Sequence, residues 1–203
     1  VPKKVDHEAQ RRRIAEALWR VVGRGGFEAV SMRDVAAEAG LSSAQHYFAS
    51  KDEMLRYALE HMVEGAARRI HDRVAGAGGN ASPGAVLKDV ITEVLLSGEQ
   101  YRDQARVWAG YVGKAAVESQ SARLYQKVYT ELGDIVADLL RAARDAGEVS
   151  AALDPRGAAV SLLALADGLT LHVLVGLRSH EEALAALTAH LDGLLRAAGG
   201  APR

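Results

Sequence analysis

Apolar residues recur along this chain at helical spacing, and hardly anywhere do they alternate with polar ones. Ile14, Leu18, Val21 and Val22 fall at i, i+4, i+7 and i+8, which predicts a first helix from about Asp6 to Arg24. The glycines of "GRGGF" then supply the left-handed conformations that end a helix. Ser31 is placed to cap a second helix of about two turns, with Met32, Val35, Ala36 and Ala39 on one side and Gly40 as its stop. Ser42-Ser43-Ala44-Gln45 reads as a capping box opening a third helix at Ser43, and Ser50-Lys51-Asp52-Glu53 as a second box. The fourth helix that follows carries Met54, Leu55, Ala58, Leu59, Met62 and Ala66 and ends near Ala75. After a loop over residues 76–84, Ser82 and Pro83 suit the cap and first position of a fifth helix. Further helices are predicted over about 85–97, 100–118, 121–146, 155–176 and 180–198. Asp154-Pro155 opens the penultimate one, and a third box, Ser179-His180-Glu181-Glu182, opens the last. The fold class is all-α, with about nine helices and no internal repeat.

Composition agrees. Hydrophobic residues make up 49% and charged residues 25% of 203 residues, ordinary for a folded chain, while aromatics are only 5%. There is no 18-residue apolar run, so no membrane partner is expected. "VPKKVDHEAQRRR" has charge but no apolar segment behind it, unlike a signal peptide. The absence of cysteine excludes disulfides and thiolate metal sites. The expected compartment is the cytoplasm, and no metal or cofactor is expected. The glycines of "GAGGNASPG" are not followed by Gly-Lys-Ser/Thr and a helix precedes them, so they read as a linker and not as a phosphate loop.

Charge changes the picture more. The net charge of −1 divides into +3 over residues 1–51 and −4 over residues 52–203. The excess at the front includes Lys3, Lys4, Arg11, Arg12, Arg13, Arg20, Arg24 and Arg33. Charge alone favours a solvated helix face; a phosphate-facing surface is the functional alternative. Two short helices joined by a Gly-containing turn, just behind these residues, have helix-turn-helix spacing. The expected organisation is a three-helix head over residues 1–51, which carries this helix-turn-helix, and a second helical domain over 52–203, linked by the fourth helix.

"SMRDVAAEAGLS" followed by "YFASKDEML" resembles the DNA-binding signature of the TetR-type transcriptional regulators. "DPRGAAVSLLALADGLTLHVLVG" is similar to the regulatory domain of the choline-responsive subgroup. The stronger match covers about residues 10–60. One departure stands out. Most members have two more residues between the turn glycine and the Tyr-Phe pair, whereas only seven separate Gly40 from Phe48 here. Two residues amount to roughly 200° of helical rotation and about 3 Å of rise, so the recognition helix is short.

The resemblance implies double-stranded operator DNA as a partner and a homodimer that responds to a small-molecule effector, most simply a repressor. Tyr47 and Lys51 match positions that hold phosphate, and Ser31 and Arg33 resemble the family's other backbone contacts. Leu41 and Phe48 can pack inward, leaving Ser42, Ser43, Ala44, Gln45, His46 and Tyr47 on the reading element. Gln can bond adenine N6 and N7 together, and Ser can donate to bases or phosphates. His46 suits capping or packing equally well. About half of the Arg11–Arg13 cluster is expected to face DNA.

In the remaining chain, Met62, Tyr101, Trp108, Tyr111 and Tyr125 are the candidate effector residues, with Tyr129 in the same concentration of aromatics, because aromatics with polar tips suit such cavities. Simple core packing would also account for most of them. Leu184, Leu187 and Leu191 form a stripe on the last helix, and Leu165 and Leu169 one on the helix before. By resemblance these, with His172, form a four-helix dimer interface. Read without the resemblance, they suit a monomer core as well. Asp167 and His172 are read as partnered at that interface and not as ligand groups. A helical enzyme or an interaction scaffold is the alternative function, but no His-Glu-x-x-His pair or cysteine nucleophile supports an enzyme.

Overall fold

The computed structural model describes residues 6–27, 30–76, 81–96 and 98–196. Lys3 and Lys4, loop residues 77–80, and residues 97, 197 and 198 of the expected helices lie outside them. Eight α-helices and no strand occur among the described residues: α1 (His7–Gly25), α2 (Met32–Glu38), α3 (Lys51–Gly76), α4 (Pro83–Val94), α5 (Arg102–Val117), α6 (Ser119–Asp145), α7 (Pro155–Leu174) and α8 (His180–Arg196). A 3-10 turn over Glu99–Tyr101 leads into α5.

The ends are set by short-range hydrogen bonds. Asp6 caps α1 by accepting from the Ala9 amide, and Ser31 caps α2 by accepting from Asp34. Asp154 accepts from the amides of Arg156 and Gly157 at the start of α7. At α8 the box is complete: Glu182 N donates to Ser179 Oγ and Ser179 N donates to the Glu182 carboxylate. Gly40, at φ 67°, turns the chain after α2 and brings the Leu41 amide onto the Ala36 carbonyl.

The third helix expected at Ser43 does not form. Residues 41–50 make one turn, in which the amides of Tyr47 and Phe48 both reach the Ala44 carbonyl at 3.0 Å. Ser43 Oγ accepts from the Gln45 amide two residues on, a local bond that replaces the predicted capping box. Ala44 and Phe48 are both buried, and the short connection has room for a single turn between them.

Three apolar clusters hold the chain together. The head cluster joins Ile14, Leu18 and Val22 of α1, Val35 of α2, Ala44 and Phe48, and Met54, Leu55 and Ala58 of α3, with Val107 of α5. A middle cluster joins Leu59 and Met62 to Leu96, Ala105, Trp108 and Tyr111. The far cluster packs Leu87 and Ile91 of α4, Val136 and Leu140 of α6, Leu162 and Leu169 of α7, and Leu187 and Leu191 of α8.

That last cluster takes Leu169, Leu187 and Leu191 out of the expected dimer surface, while Leu165, His172 and Leu184 keep a half-exposed side. Leu187 is 0% and Leu191 1% exposed within the one chain, and Leu169 is also buried. Leu165 and Leu184 pack half-buried against the same cluster. The reason is geometric: α8 is the element that covers α4 and α7, so its leucines are consumed inside the chain. What α7 leaves uncovered is a different stripe, with Val160 at 69%, Leu171 at 42% and Val175 at 75% exposure. By length and composition α7 is apolar enough to cross a membrane, at mean hydropathy 1.6, yet only a third of that window is buried in the chain.

Leu187→Ala should therefore cost about 2–5 kcal/mol of folding stability. Urea unfolding should show that loss undiminished at all protein concentrations, whereas an interfacial leucine would show a loss that varies with concentration.

Candidate DNA-binding head and effector cavity

Around the reading turn the candidates separate by exposure. Gln45, His46, Ser42 and Arg33 are exposed; Ser31, Ser43, Tyr47 and Lys51 are half-buried. Ala44 is a correction: its methyl is 2% exposed and belongs to the head core, so its side chain offers DNA nothing. Ser31 both accepts from the Asp34 amide and donates to the Asp34 carboxylate, so its hydroxyl is engaged in capping α2. The Tyr47 ring tilts against His7, with centroids 5.0 Å apart, which leans the reading turn on the start of α1.

Much of the positive charge at the front is used internally. Arg11 lies over the rings of Phe48 and Tyr57, at 4.7 and 4.5 Å, and bonds Glu53 at 3.3 Å. Glu53 in turn accepts from the Ala49 amide at 2.7 Å, tying the end of the reading segment to α3. Arg20 and Arg24 both clasp Glu38 and so fasten α1 to α2; the two guanidiniums, Arg24 first, hold the Glu38 carboxyl below its ordinary range. Arg12, Arg13, Arg33 and Lys51 make no ion pair among the described residues. Arg13 lies against Gly40 in the turn itself, where an added Cβ would meet its guanidinium at 3.0 Å. Its place there was not legible locally, because it depends on how α1 crosses α2.

At its first turn α3 is bridged to the body through Lys114 of α5, whose ammonium lies 2.9 Å from Asp52 and 3.0 Å from Glu118. Those partners, Asp52 first, raise the Lys114 pKa. Farther along, Arg69 and Arg73 reach Glu93 of α4 at 2.6 and 2.7 Å. Arg106 of α5 donates to the Gly23 carbonyl at the end of α1.

The five candidate effector residues do come together. Met62, Trp108 and Tyr111 are buried in the middle cluster, with Tyr101 and Tyr125 packed against it. Tyr111 borders a space of about 440 Å³ beside the first turn of α3, and Tyr125 lines a cavity of about 580 Å³ between α6 and α7. Its other walls include Tyr129, Leu163, Ala164 and Asp167. Tyr129 hydroxyl donates to Asp167 Oδ1 at 2.8 Å and accepts from Trp108 Nε1 at 2.9 Å. The rings of Tyr125 and Tyr129 stack with centroids 4.2 Å apart. Asp167 is thus partnered within its own chain, which corrects its expected pairing at a dimer interface. Burial pushes its carboxyl up to about 6, against a smaller downward pull from the Tyr129 hydroxyl. Burial, and then the Asp167 charge, push Tyr129 up as well. Tyr129 belongs to the concentration of mid-chain aromatics legible in the sequence, but its bond to Asp167 was not; the signal was the i, i+4 tyrosine pair together with one acid in an apolar helix.

An all-helical fold with a basic reading head and a cavity-bearing helical body defines a DNA-binding regulator. Residues 14–58 match the family model of the bacterial regulatory proteins of the tetR family, and residues 83–196 that of the BetI-type transcriptional repressor C-terminal region. The chain belongs to the TetR family of transcriptional regulators, with a BetI-type C-terminal region. It is 29% identical over 178 residues to the transcriptional regulator PksA of Bacillus subtilis, covering 86% of this chain and 83% of that one. It is 27% identical over 126 residues to the regulator BetI of Agrobacterium fabrum, covering 61% of this chain and 60% of the relative. A transcriptional regulator from Saccharomonospora viridis, solved in complex with choline, superposes with a TM-score of 0.78 at 28% identity, covering 91% of this chain and 96% of that one.

The raised Asp167 pKa has a stability consequence with a definite sign. The folded chain holds this proton up to about pH 6 and the unfolded chain releases it near the ordinary aspartate value of 3.8. The stability it contributes is therefore fully present below about pH 4 and lost as pH rises through about 6. Thermal melts should show Asp167→Asn gaining on the wild type between about pH 4 and 6, with a gap that stays constant below about pH 4 and again above that range.

Proposed function

We propose that this chain is a homodimeric repressor, acting in the cytoplasm, that a small organic cation releases from its operator. The observation that carries the reading is α3, one unbroken helix running from Lys51 beside the reading turn to Met62 in the middle cluster and on to Glu93's two arginine partners. The division lies at residue 51, with the head before it and the effector-binding, dimerising body after it. Gln45 and His46 face the bases, while Tyr47, Lys51, Arg33 and Arg13 hold phosphates. A cationic effector is supported by tyrosine faces beside a carboxylate in the cavity, by the affinity of aromatic faces for quaternary ammonium groups, and by the choline bound to the structural relative. The reading assigns no catalytic step.

The second copy covers the open stripe of α7. A single head presents only one turn of reading chain, so a firm grip needs two heads on two half-sites. In this reading the effector is bound more tightly by the form whose heads cannot span those half-sites; equal affinity for both forms would shift nothing.

Gel-shift titrations test the head. Lys51→Ala should weaken binding to every DNA sequence and flatten the salt dependence by about one unit of slope. Gln45→Ala should change preference at one base pair by about 1–3 kcal/mol. Unchanged affinity and preference in both would remove this surface from the reading. Leu171→Glu with Val175→Glu, both on exposed positions, should give a folded monomer in sedimentation and abolish operator binding. An intact dimer would place the interface elsewhere.

A further inference from the structure

We propose that Asp167 is the counter-charge that selects the effector's cationic group, aimed into the cavity between α6 and α7 by Tyr129 and Trp108. The proposal rests on the cationic effector inferred above and assigns its recognition to one carboxylate.

Between Gly157 and Leu177 the chain has no Lys or Arg, and Asp167 is its one acid. A carboxylate at the middle of so apolar a helix is costly unless something compensates its charge. Within the chain its hydrogen-bond partner is a neutral hydroxyl, that of Tyr129. A neutral donor orients a carboxylate without neutralising it. The other charged groups lining the cavity are Arg156 and Asp134, both exposed. Arg156 is eleven residues away along α7, roughly 16 Å. His172, on the same helix, is rotated roughly 140° from Asp167. From α5 the approaching group is the neutral Trp108 indole, and from α6 the neutral Tyr125 and Tyr129. The positive charge that would complete this site is therefore one that a ligand brings.

The hydrogen-bond directions support that role. An indole N–H can only donate, so Trp108 fixes the Tyr129 oxygen as its acceptor and leaves the phenolic proton for Asp167. That proton takes Oδ1, leaving Oδ2 without a hydrogen bond among the described residues. Beside it the stacked Tyr125 and Tyr129 rings offer π faces, which attract a cation and tolerate its methyl groups. About 580 Å³ is ample for a small ammonium compound. Tyr129 and Trp108 are positioning residues here; the contact is made by Asp167.

The test uses choline and its uncharged isostere 3,3-dimethyl-1-butanol as probes. Binding is read by calorimetry and by emission of Trp108 in a Trp19→Phe background. At pH 7.5 the wild type should bind choline at least tenfold more tightly than the alcohol. Asp167→Asn should lose at least tenfold in choline affinity and with it the discrimination, while Asp138→Asn, exposed on α6 outside the cavity lining, keeps both. Because the carboxyl titrates near 6, wild-type choline affinity should fall towards tenfold per pH unit below that point, and Asp167→Asn should show no such slope. Tyr129→Phe removes the donor that favours the carboxylate and should move the midpoint of that profile upward. Choline binding that Asp167→Asn leaves unchanged, or a flat wild-type pH profile, overturns this assignment alone. A wild type that binds operator DNA but neither choline nor tetramethylammonium at pH 7.5 overturns the cationic effector together with it.

Discussion

Glu93 is 3% exposed, and the two arginines that reach it from α3 make that burial tolerable. With both arginines removed the carboxylate would remain buried without a counter-charge, which is strongly destabilising. The pairing therefore pins the far half of α3 to α4, with Arg73 also reaching Asp89 and Arg69 lying over the Tyr101 ring. At the opposite end Met54, Leu55 and Ala58 of the same helix are part of the head core. Everything the body does to the head has to pass through this one pinned helix or through α5. The second route is itself specific, since Lys114 spans Asp52 and Glu118 and Arg106 holds the end of α1. Asp52 directly follows Lys51, so the body's cation sits one residue from the proposed phosphate grip.

The head solves a related problem with fewer residues. Its reading segment is too short to form a helix and too exposed to fold alone. Arg11 replaces the missing helical turn with contacts of another kind, covering Phe48 and Tyr57 and fixing Glu53, which then holds the Ala49 amide. Part of the basic excess over residues 1–51 is thus structural. That leaves a smaller set of cations for DNA than the count of arginines suggests.

Which features were legible in the sequence follows from the range of the forces that set them. Caps such as Asp154 and Ser179 act over three residues, so they could be read directly and the helices they open are in place. The helix expected at Ser43 failed because two local options competed there, a capping box and a bond to the amide two residues on, and burial of Ala44 and Phe48 decided between them. The leucines of α8 announced an apolar face, but periodicity does not say whether a face is covered by its own chain or by another. The aromatic cluster was legible as a group. The Tyr129–Asp167 bond joins positions 38 apart in the chain, and only the crossing of α6 over α7 brings them together.

That crossing also explains why α7 is so apolar and yet so uncovered. One side of it, through Leu162 and Leu169, is committed to the far core. Its open stripe through Val160, Ala164, Leu171 and Val175 runs alongside, and Asp167 lies within roughly 40° of Leu171 around the axis. Val160 and Ala164 belong to both features, being exposed on the stripe and lining the cavity. Whatever covers the stripe also approaches the mouth of the cavity, and a ligand drawn to Asp167 presses on residues the covering surface touches. A helix arranged in this way has little freedom to change one face without the other. Effector recognition and subunit contact in the proposed regulator are thus joined on one rigid element, so the signal needs only a small displacement of α7 to be felt at both.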